Sequence, residues 1–221
     1  MKTKKDLMKL PKKSDLERAN ARGIFSSFGG AKSAEVPQSG TKKDKKSGAP
    51  EYSLKHAEQR VLVLIDVQNL YHSAKNLYGT RVNFSAILKT AVSNRRLVRA
   101  FAYVIRTKSG EEKMFFEALT KLGIETRVKD LQEFYGGAKK GDWDVGIVID
   151  AVRVASSCDV VCLCSGDGDF IPLIEYLENK GKRTEVLAFG RSASAKLKEE
   201  ADEFIDLGSS LQNYLLKKSS K

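Results

Sequence analysis

Val160-Val161-Cys162-Leu163-Cys164-Ser165-Gly166-Asp167-Gly168-Asp169-Phe170 is the stretch that decides how this chain folds. Its first five residues form an uninterrupted apolar run, the mark of a strand covered on both faces. The run then breaks into an acid-glycine-acid turn. A buried strand that ends this way delivers carboxylates to the end of a sheet, and carboxylate oxygens are the hard ligands that magnesium and manganese prefer. A second run, Val61-Leu62-Val63-Leu64-Ile65, ends the same way on Asp66.

Between and beyond these runs the pattern alternates. After the first strand, a helix is expected from Val67 to Tyr78, stopped by Gly79. A second opens at Asn83, a natural N-cap for Phe84-Ser85-Ala86-Ile87-Leu88. Leu97 to Ile105 reads as a strand, and Glu111 to Leu122 as a helix ended by Gly123. Ile124 to Val128 is the third strand. A polar loop, Asp130 to Gly141, precedes a helix that Asp142 can cap and that runs to Ser156. Asp159 to Cys164 is the fourth strand. The next helix starts near Phe170 and tolerates Pro172 in its first turn, where no backbone donor is lost. Thr184 to Ala188 is a fifth strand, Ala193 to Ala201 a short helix, and Phe204 to Leu207 an edge strand. Such alternation predicts an α/β fold, a mostly parallel sheet with helices on both faces.

In open sheets of this kind, ligands bind outside the carboxyl ends of the strands. If the first and fourth strands are near neighbours, Asp66, Asp167 and Asp169 converge. Asp144 lies in the first turn of the preceding helix and Asp150 six residues later, so the two differ by roughly 120° about the axis. Either one ligates and the other supports it, or the site is broad.

Composition sets the frame: 221 residues, 41% hydrophobic, suit one domain plus a tail. The net charge of +11 is uneven, since residues 1–50 carry 13 Lys and Arg against five Asp and Glu. Residues 1–55 are therefore expected to be a basic, largely disordered tail, with Leu16 to Phe28 open to a short helix. Lysines in such a tail neutralise phosphates without a defined fold, which favours non-specific nucleic-acid contact. The folded domain is expected over 56–208, and 209–221 is a short C-terminal tail whose Tyr214-Leu215-Leu216 leaves a homodimer open. The apolar runs are too short to cross a bilayer, and the Lys-rich start has no apolar stretch behind it, so neither membrane span nor secretory signal is expected. Cys158, Cys162 and Cys164 read as buried thiols of a reducing cytoplasm, the localisation expected here. Two histidines, His56 and His72, give little support to a zinc cluster. No Walker-type phosphate loop is present, which argues against ATP as substrate.

The ordered set of motifs resembles a known family. Asp66-Val67-Gln68-Asn69 after a buried strand, Lys140-Gly141-Asp142-Trp143-Asp144-Val145 opening a helix, Asp150 within it, and Ser165-Gly166-Asp167-Gly168-Asp169-Phe170 together look like the NYN domain. More narrowly they resemble its LabA-like branch, within the PIN-like nuclease superfamily, and Gly190 to Ser194 with Ala201-Asp202-Glu203-Phe204-Ile205 fits that branch's C-terminal portion. The resemblance implies a three-layer α/β/α sandwich and a metal-dependent nuclease site with RNA, or another single-stranded nucleic acid, as substrate. It carries the family's acidic positions onto Asp66, Asp144, Asp167 and Asp169, its polar position onto Asn69, and the wider group's helix acid onto Asp150.

These residues suit phosphodiester hydrolysis assisted by Mg2+ or Mn2+. Asp66 and Asp167 are expected as primary ligands, Asp144 and Asp169 as direct or water-mediated ones, with Asp150 in support. Asn69 would orient a water or a phosphate oxygen. Lys139, Lys140 and Lys196 are candidate phosphate contacts; Gly190-Arg191-Ser192-Ala193-Ser194, before a helix start, makes Arg191, Ser192 and Ser194 candidates for substrate. Tyr71, Tyr135 and Trp143 could stack on bases or simply pack. Met114-Phe115-Phe116 reads as core. Plainer roles compete throughout: Asp66 as a helix cap, Asp-Gly-Asp as ordinary turn chemistry, Asp144 as a dipole partner. Asp150, amid Ile147, Val148, Ile149, Ala151 and Val152, would be costly to bury without a partner. The expected function takes one of two forms: a metal-dependent endoribonuclease, or a non-catalytic RNA-binding regulator that keeps the acidic pocket. A phosphatase using the same acids on a small substrate is the weaker third.

Overall fold

Val61 to Ile65 are wholly buried, as a strand covered on both faces requires. The computed structural model describes residues 55–106, 113–130, 132–133, 139–140 and 142–217, with the backbone alone for 132–133 and 139–140. The expected tail over 1–55 lies outside these residues but for Lys55, and Tyr135 and the side chains of Lys139 and Lys140 lie outside them too.

The first strand, β1 (Arg60–Asp66), runs into α1 (Val67–Tyr78) and α2 (Phe84–Val92), followed by β2 (Arg96–Arg106), α3 (Lys113–Lys121) and β3 (Glu125–Asp130). A short antiparallel ladder joins β4 (Gln132–Glu133) to β5 (Lys139–Lys140). Then come α4 (Asp144–Val154), β6 (Val160–Cys164), α5 (Ile171–Asn179), β7 (Arg183–Ala188), α6 (Ala195–Glu200), β8 (Glu203–Asp206) and α7 (Leu211–Tyr214). The main sheet has six strands in the order β3-β2-β1-β6-β7-β8, every pair parallel.

Each face of the sheet carries its own apolar layer. Val61, Val63 and Ile65 pack with Leu70, Ala74, Ile87 and Leu119 of α1, α2 and α3. Leu62 and Leu64 face the other way, onto Ile147, Ala151, Leu173 and Leu197 of α4, α5 and α6. Strict alternation along β1 therefore builds both cores of an α/β/α sandwich. Cys162 and Cys164 share the first layer and Cys158 lies in the second; all three are buried free thiols.

Strand order, not sequence order, makes the crevice. From β1 the chain moves outward to β2 and β3, whereas from β6 it moves the opposite way to β7 and β8. The reversal falls between β1 and β6, where Ile65 pairs with Cys164. Loops leaving two such strands diverge to opposite faces, and ligands lodge in the gap. Asp66 and the Ser165–Asp169 turn emerge there.

Several boundaries differ from the sequence expectation. The segment expected as a plain polar loop, 130–141, holds the β4–β5 ladder, Gln132 opposite Lys140. Asp142 does not cap α4: the helix begins one residue later than that role demands, with Trp143 at the N-cap and no side-chain capping bond. A 3₁₀ turn over Gly168–Phe170 precedes α5, because the Asp167 carboxylate accepts the Asp169 N–H and tightens the chain. The helix expected over 193–201 is shorter, since Ser194 is its cap rather than its second residue. Met114 is 79% exposed, and only Phe115 and Phe116 of that trio pack against the core. Helical spacing put all three in one turn, but adjacent residues lie about 100° apart and cannot all face inward.

At the C-terminus, Tyr214 and Leu215 also pack on the first layer. Leu215 bridges to Val82, and the Tyr214 hydroxyl lies 3.2 Å from that of Thr90. Of Tyr214-Leu215-Leu216, Leu216 is the exposed member. None of the helices among the described residues is long and apolar enough to cross a membrane.

Candidate metal centre and its acidic crevice

Asp66 closes β1 and opens α1. Its Oδ1 accepts the Asn69 backbone N–H at 3.1 Å, which is an ordinary helix cap. Its Oδ2 accepts the Ser165 hydroxyl at 3.1 Å, from the turn after β6. Only 9% of Asp66 is exposed, so a charge here is poorly hydrated. Burial pushes its carboxyl up from the ordinary aspartate value, and the nearby Asp144 and Asp167 charges push the same way. The Asn69 and Ser165 bonds pull it down without offsetting the rise.

A second strut crosses the crevice beside the first. The Asn69 side-chain oxygen accepts the Gly166 N–H at 2.9 Å. Asn69, expected to orient a water or phosphate, thus has its carbonyl engaged in bracing the turn. Ser165, fully buried, accepts the Asp167 N–H at 3.3 Å while it donates to Asp66. Ser165 opens the motif Ser165–Phe170, and a hydroxyl between a buried strand and an acidic turn is the sequence signal of this bracing role.

Glycine at 166 is required by contact. A Cβ there would stand 2.9 Å from Ala193 Cα, closer than real Cβ atoms come. The loop Gly190–Ser194 therefore lies directly on the acidic turn, and the Ser194 N–H donates to the Gly166 carbonyl at 2.9 Å. Ser194 Oγ accepts from Leu197 as the α6 cap. Ser192 Oγ lies 2.9 Å from Ser73 Oγ and 3.1 Å from the Phe189 carbonyl oxygen. Arg191 is exposed. Ser192 and Ser194 thus tie the loop down, whatever else they touch.

The acids converge unequally. One carboxylate oxygen each from Asp144, Asp167 and Asp169 lies within 4.8 Å of the others. Opposite ligands of an octahedral magnesium sit about 4.2 Å apart, twice the usual bond length. Three carboxylate oxygens this close could hold one ion. Asp66 is not one of this trio, although its neighbours' charges reach it. Among the described residues, no lysine or arginine forms an ion pair with Asp167 or Asp169. Hard oxygens at this spacing suit Mg2+ or Mn2+.

Asp150 stands apart. Its Oδ2 accepts the Tyr103 hydroxyl at 3.2 Å and the Arg127 Nε–H at 3.0 Å, and Arg153 approaches Oδ1 at 4.0 Å. This partly buried acid has a charged partner in Arg127 on β3. Six residues along α4 turned it toward the β2–β3 side. Trp143 is likewise tied into the protein: its Nε1–H donates to the Val104 carbonyl at 3.0 Å, and its ring lies 5.5 Å from that of Tyr103. Tyr71 is partly exposed, edge-on to His72. Lys196 is exposed on α6.

With this geometry in place, the class is defined. The chain belongs to the NYN domain family, whose match covers residues 60–210, a PIN-like nuclease class. It is similar to the "Low amplitude and bright protein LabA" of Synechococcus elongatus (strain ATCC 33912 / PCC 7942 / FACHB-805), 29% identical over 157 residues, spanning 67% of this chain and 83% of that protein. Its fold matches the crystal structure of VPA0982 from Vibrio parahaemolyticus RIMD 2210633, a protein of unknown function. The TM-score is 0.67 at 31% identity, covering 73% of this chain and 99% of that one.

Proposed function

We propose that this protein is a ribonuclease that hydrolyses RNA phosphodiester bonds with the help of Mg2+ or Mn2+ in the crevice between β1 and β6. The observation that carries the reading is the approach of Asp144, Asp167 and Asp169 to within 4.8 Å at a sheet's switch point, in a chain of the NYN family. Three like charges so close are mutually repulsive, and a divalent cation is the simplest group to relieve them.

Asp144, Asp167 and Asp169 would hold the ion, and Asp66 would sit beside them on its two struts. A divalent cation held there supplies Lewis acidity toward a phosphate oxygen and lowers the pKa of an attacking water. Asn69 and Ser165 keep the acidic turn at a fixed distance from β1. Arg191, Ser192, Ser194 and Lys140 are proposed to meet the phosphate chain, since the Gly190–Ser194 loop borders the turn and Lys140 lies just before α4. The Lys-rich stretch at 1–50 adds non-specific affinity. Three buried free thiols fit action in the cytoplasm.

The test is cleavage of end-labelled RNA by the full chain with Mn2+, with Mg2+, or with chelator. Cleavage that needs the ion and disappears in Asp167→Asn supports the proposal. An Asp167→Asn protein that cuts as fast as the natural one overturns it. RNA binding without any cut, in any metal, assigns the chain to a non-catalytic regulator instead.

A further inference from the structure

α4 begins without the usual cap, yet it carries Asp144 in its first turn. The residue at the N-cap, Trp143, makes no side-chain capping bond. First turns left uncapped fray, because their N–H groups lack partners. A frayed first turn would loosen the backbone that carries Asp144.

Trp143 supplies a different restraint. Its indole N–H reaches across to the Val104 carbonyl near the end of β2 at 3.0 Å. Its ring packs 5.5 Å from that of Tyr103, at 58°, and the Lys129 ammonium lies 5.6 Å from the ring centroid. Its own carbonyl accepts the Ile147 N–H at 2.8 Å, closing the helix's first turn. The ring can lie there only because residue 146 is glycine: a Cβ would stand 2.5 Å from Trp143 Cε3 and 2.9 Å from Cζ3. Gly146 is a poor helix former in an otherwise regular helix, and the indole explains its presence.

We infer that Trp143, seated on Gly146 and hydrogen-bonded to Val104, is a positioning residue that holds Asp144 in register with Asp167 and Asp169. The inference rests on the reading of the crevice as a cation site. Trp143 touches neither ion nor RNA in this role; it fixes the backbone from which the neighbouring carboxylate projects. Partners that orient a ligand typically change metal affinity by about 10- to 100-fold when removed.

Gly146→Ala separates this role from simple helix stability. Alanine favours helix over glycine, so helix propensity alone predicts unchanged or better folding. Displacement of the ring predicts the opposite at the site. Calorimetric titration of the full chain with Mn2+ should show Gly146→Ala binding about tenfold more weakly or worse. Trp143→Phe, which keeps a ring but loses the donor, should fall between it and the natural protein. In RNA cleavage both variants should lower kcat and leave KM for RNA nearly unchanged, which a general loss of folded protein would not do. Thermal scans confirm that each variant is folded at the titration temperature. Gly146→Ala and Trp143→Phe that both bind Mn2+ like the natural protein overturn the inference while leaving the proposed function standing. Absence of Mn2+ binding by the natural protein overturns the proposed function, and this inference with it.

Discussion

Ser165 and Asp66 face each other across the β1–β6 crevice, the hydroxyl donating to the carboxylate at 3.1 Å while its oxygen accepts the Asp167 N–H at 3.3 Å. One side chain thereby links the acid that ends β1 to the acid that follows β6. Ser165→Ala removes both bonds inside a buried site and should cost about 1–3 kcal/mol, read by denaturant unfolding. It also removes one of the two bonds that pull the Asp66 carboxyl down. The acid limb of the cleavage pH profile should therefore move to higher pH. An unmoved limb would separate Ser165 from the titration of the site.

Asp66 makes its own pH prediction. Its folded-state pKa is raised, with burial the largest cause, so the folded chain holds this proton more tightly than the unfolded one. The resulting stability is fully present below the unfolded aspartate pKa, about 4, and is lost as pH rises through the raised folded value. With chelator present, the natural protein should lose more melting temperature over that rise than Asp66→Asn does. Parallel melting curves for the two proteins would contradict the assignment.

Asp150→Ala should divide stability from function. The carboxylate holds Tyr103 and Arg127 and stands apart from the Asp144, Asp167 and Asp169 trio. Removing it should cost about 1–3 kcal/mol through the bonds left unmade. Mn2+ affinity measured by calorimetry should stay near that of the natural protein. A tenfold loss of affinity with intact folding would return Asp150 to the ion site.

A buried ion pair braces the far side of the sheet. Arg95 donates through Nη1 and Nη2 to the two Glu185 oxygens at 2.7 Å each, both side chains almost wholly buried, and Arg95 also reaches the Ala91 and Val92 carbonyls at the end of α2. Arg95→Ala leaves a buried carboxylate with Arg183 as its remaining partner and should destabilise by about 3–5 kcal/mol. Urea unfolding measures this directly; a loss under about 1 kcal/mol would mean that Arg183 or water compensates.

Much of the fold was legible because local signals agreed. The runs 61–65 and 160–164 are too apolar for any place but a covered strand, and Asn83 caps its helix as its residue type suggests. The candidate site was partly legible for a related reason. Asp66 and Asp167 do the plain local work expected of them, a helix cap and a turn, and still converge, because caps at the ends of adjacent parallel strands necessarily meet. What could not be read was long-range partnership. Arg127 lies 23 residues from Asp150, and no periodicity joins them. Trp143 reads from sequence as a residue that stacks or packs; only three-dimensional contact shows that its ring requires glycine at 146.

Metal binding in the crevice rests above all on the trio formed by Asp144, Asp167 and Asp169. Diffraction from crystals soaked in Mn2+, recorded with anomalous scattering, locates the ion directly. A cation site there gives a peak bounded by those three carboxylates, at bond lengths usual for oxygen ligands, and the peak is lost in Asp167→Asn. Crystals whose only Mn2+ sites lie elsewhere on the surface, with the β1–β6 crevice filled by water, would contradict it.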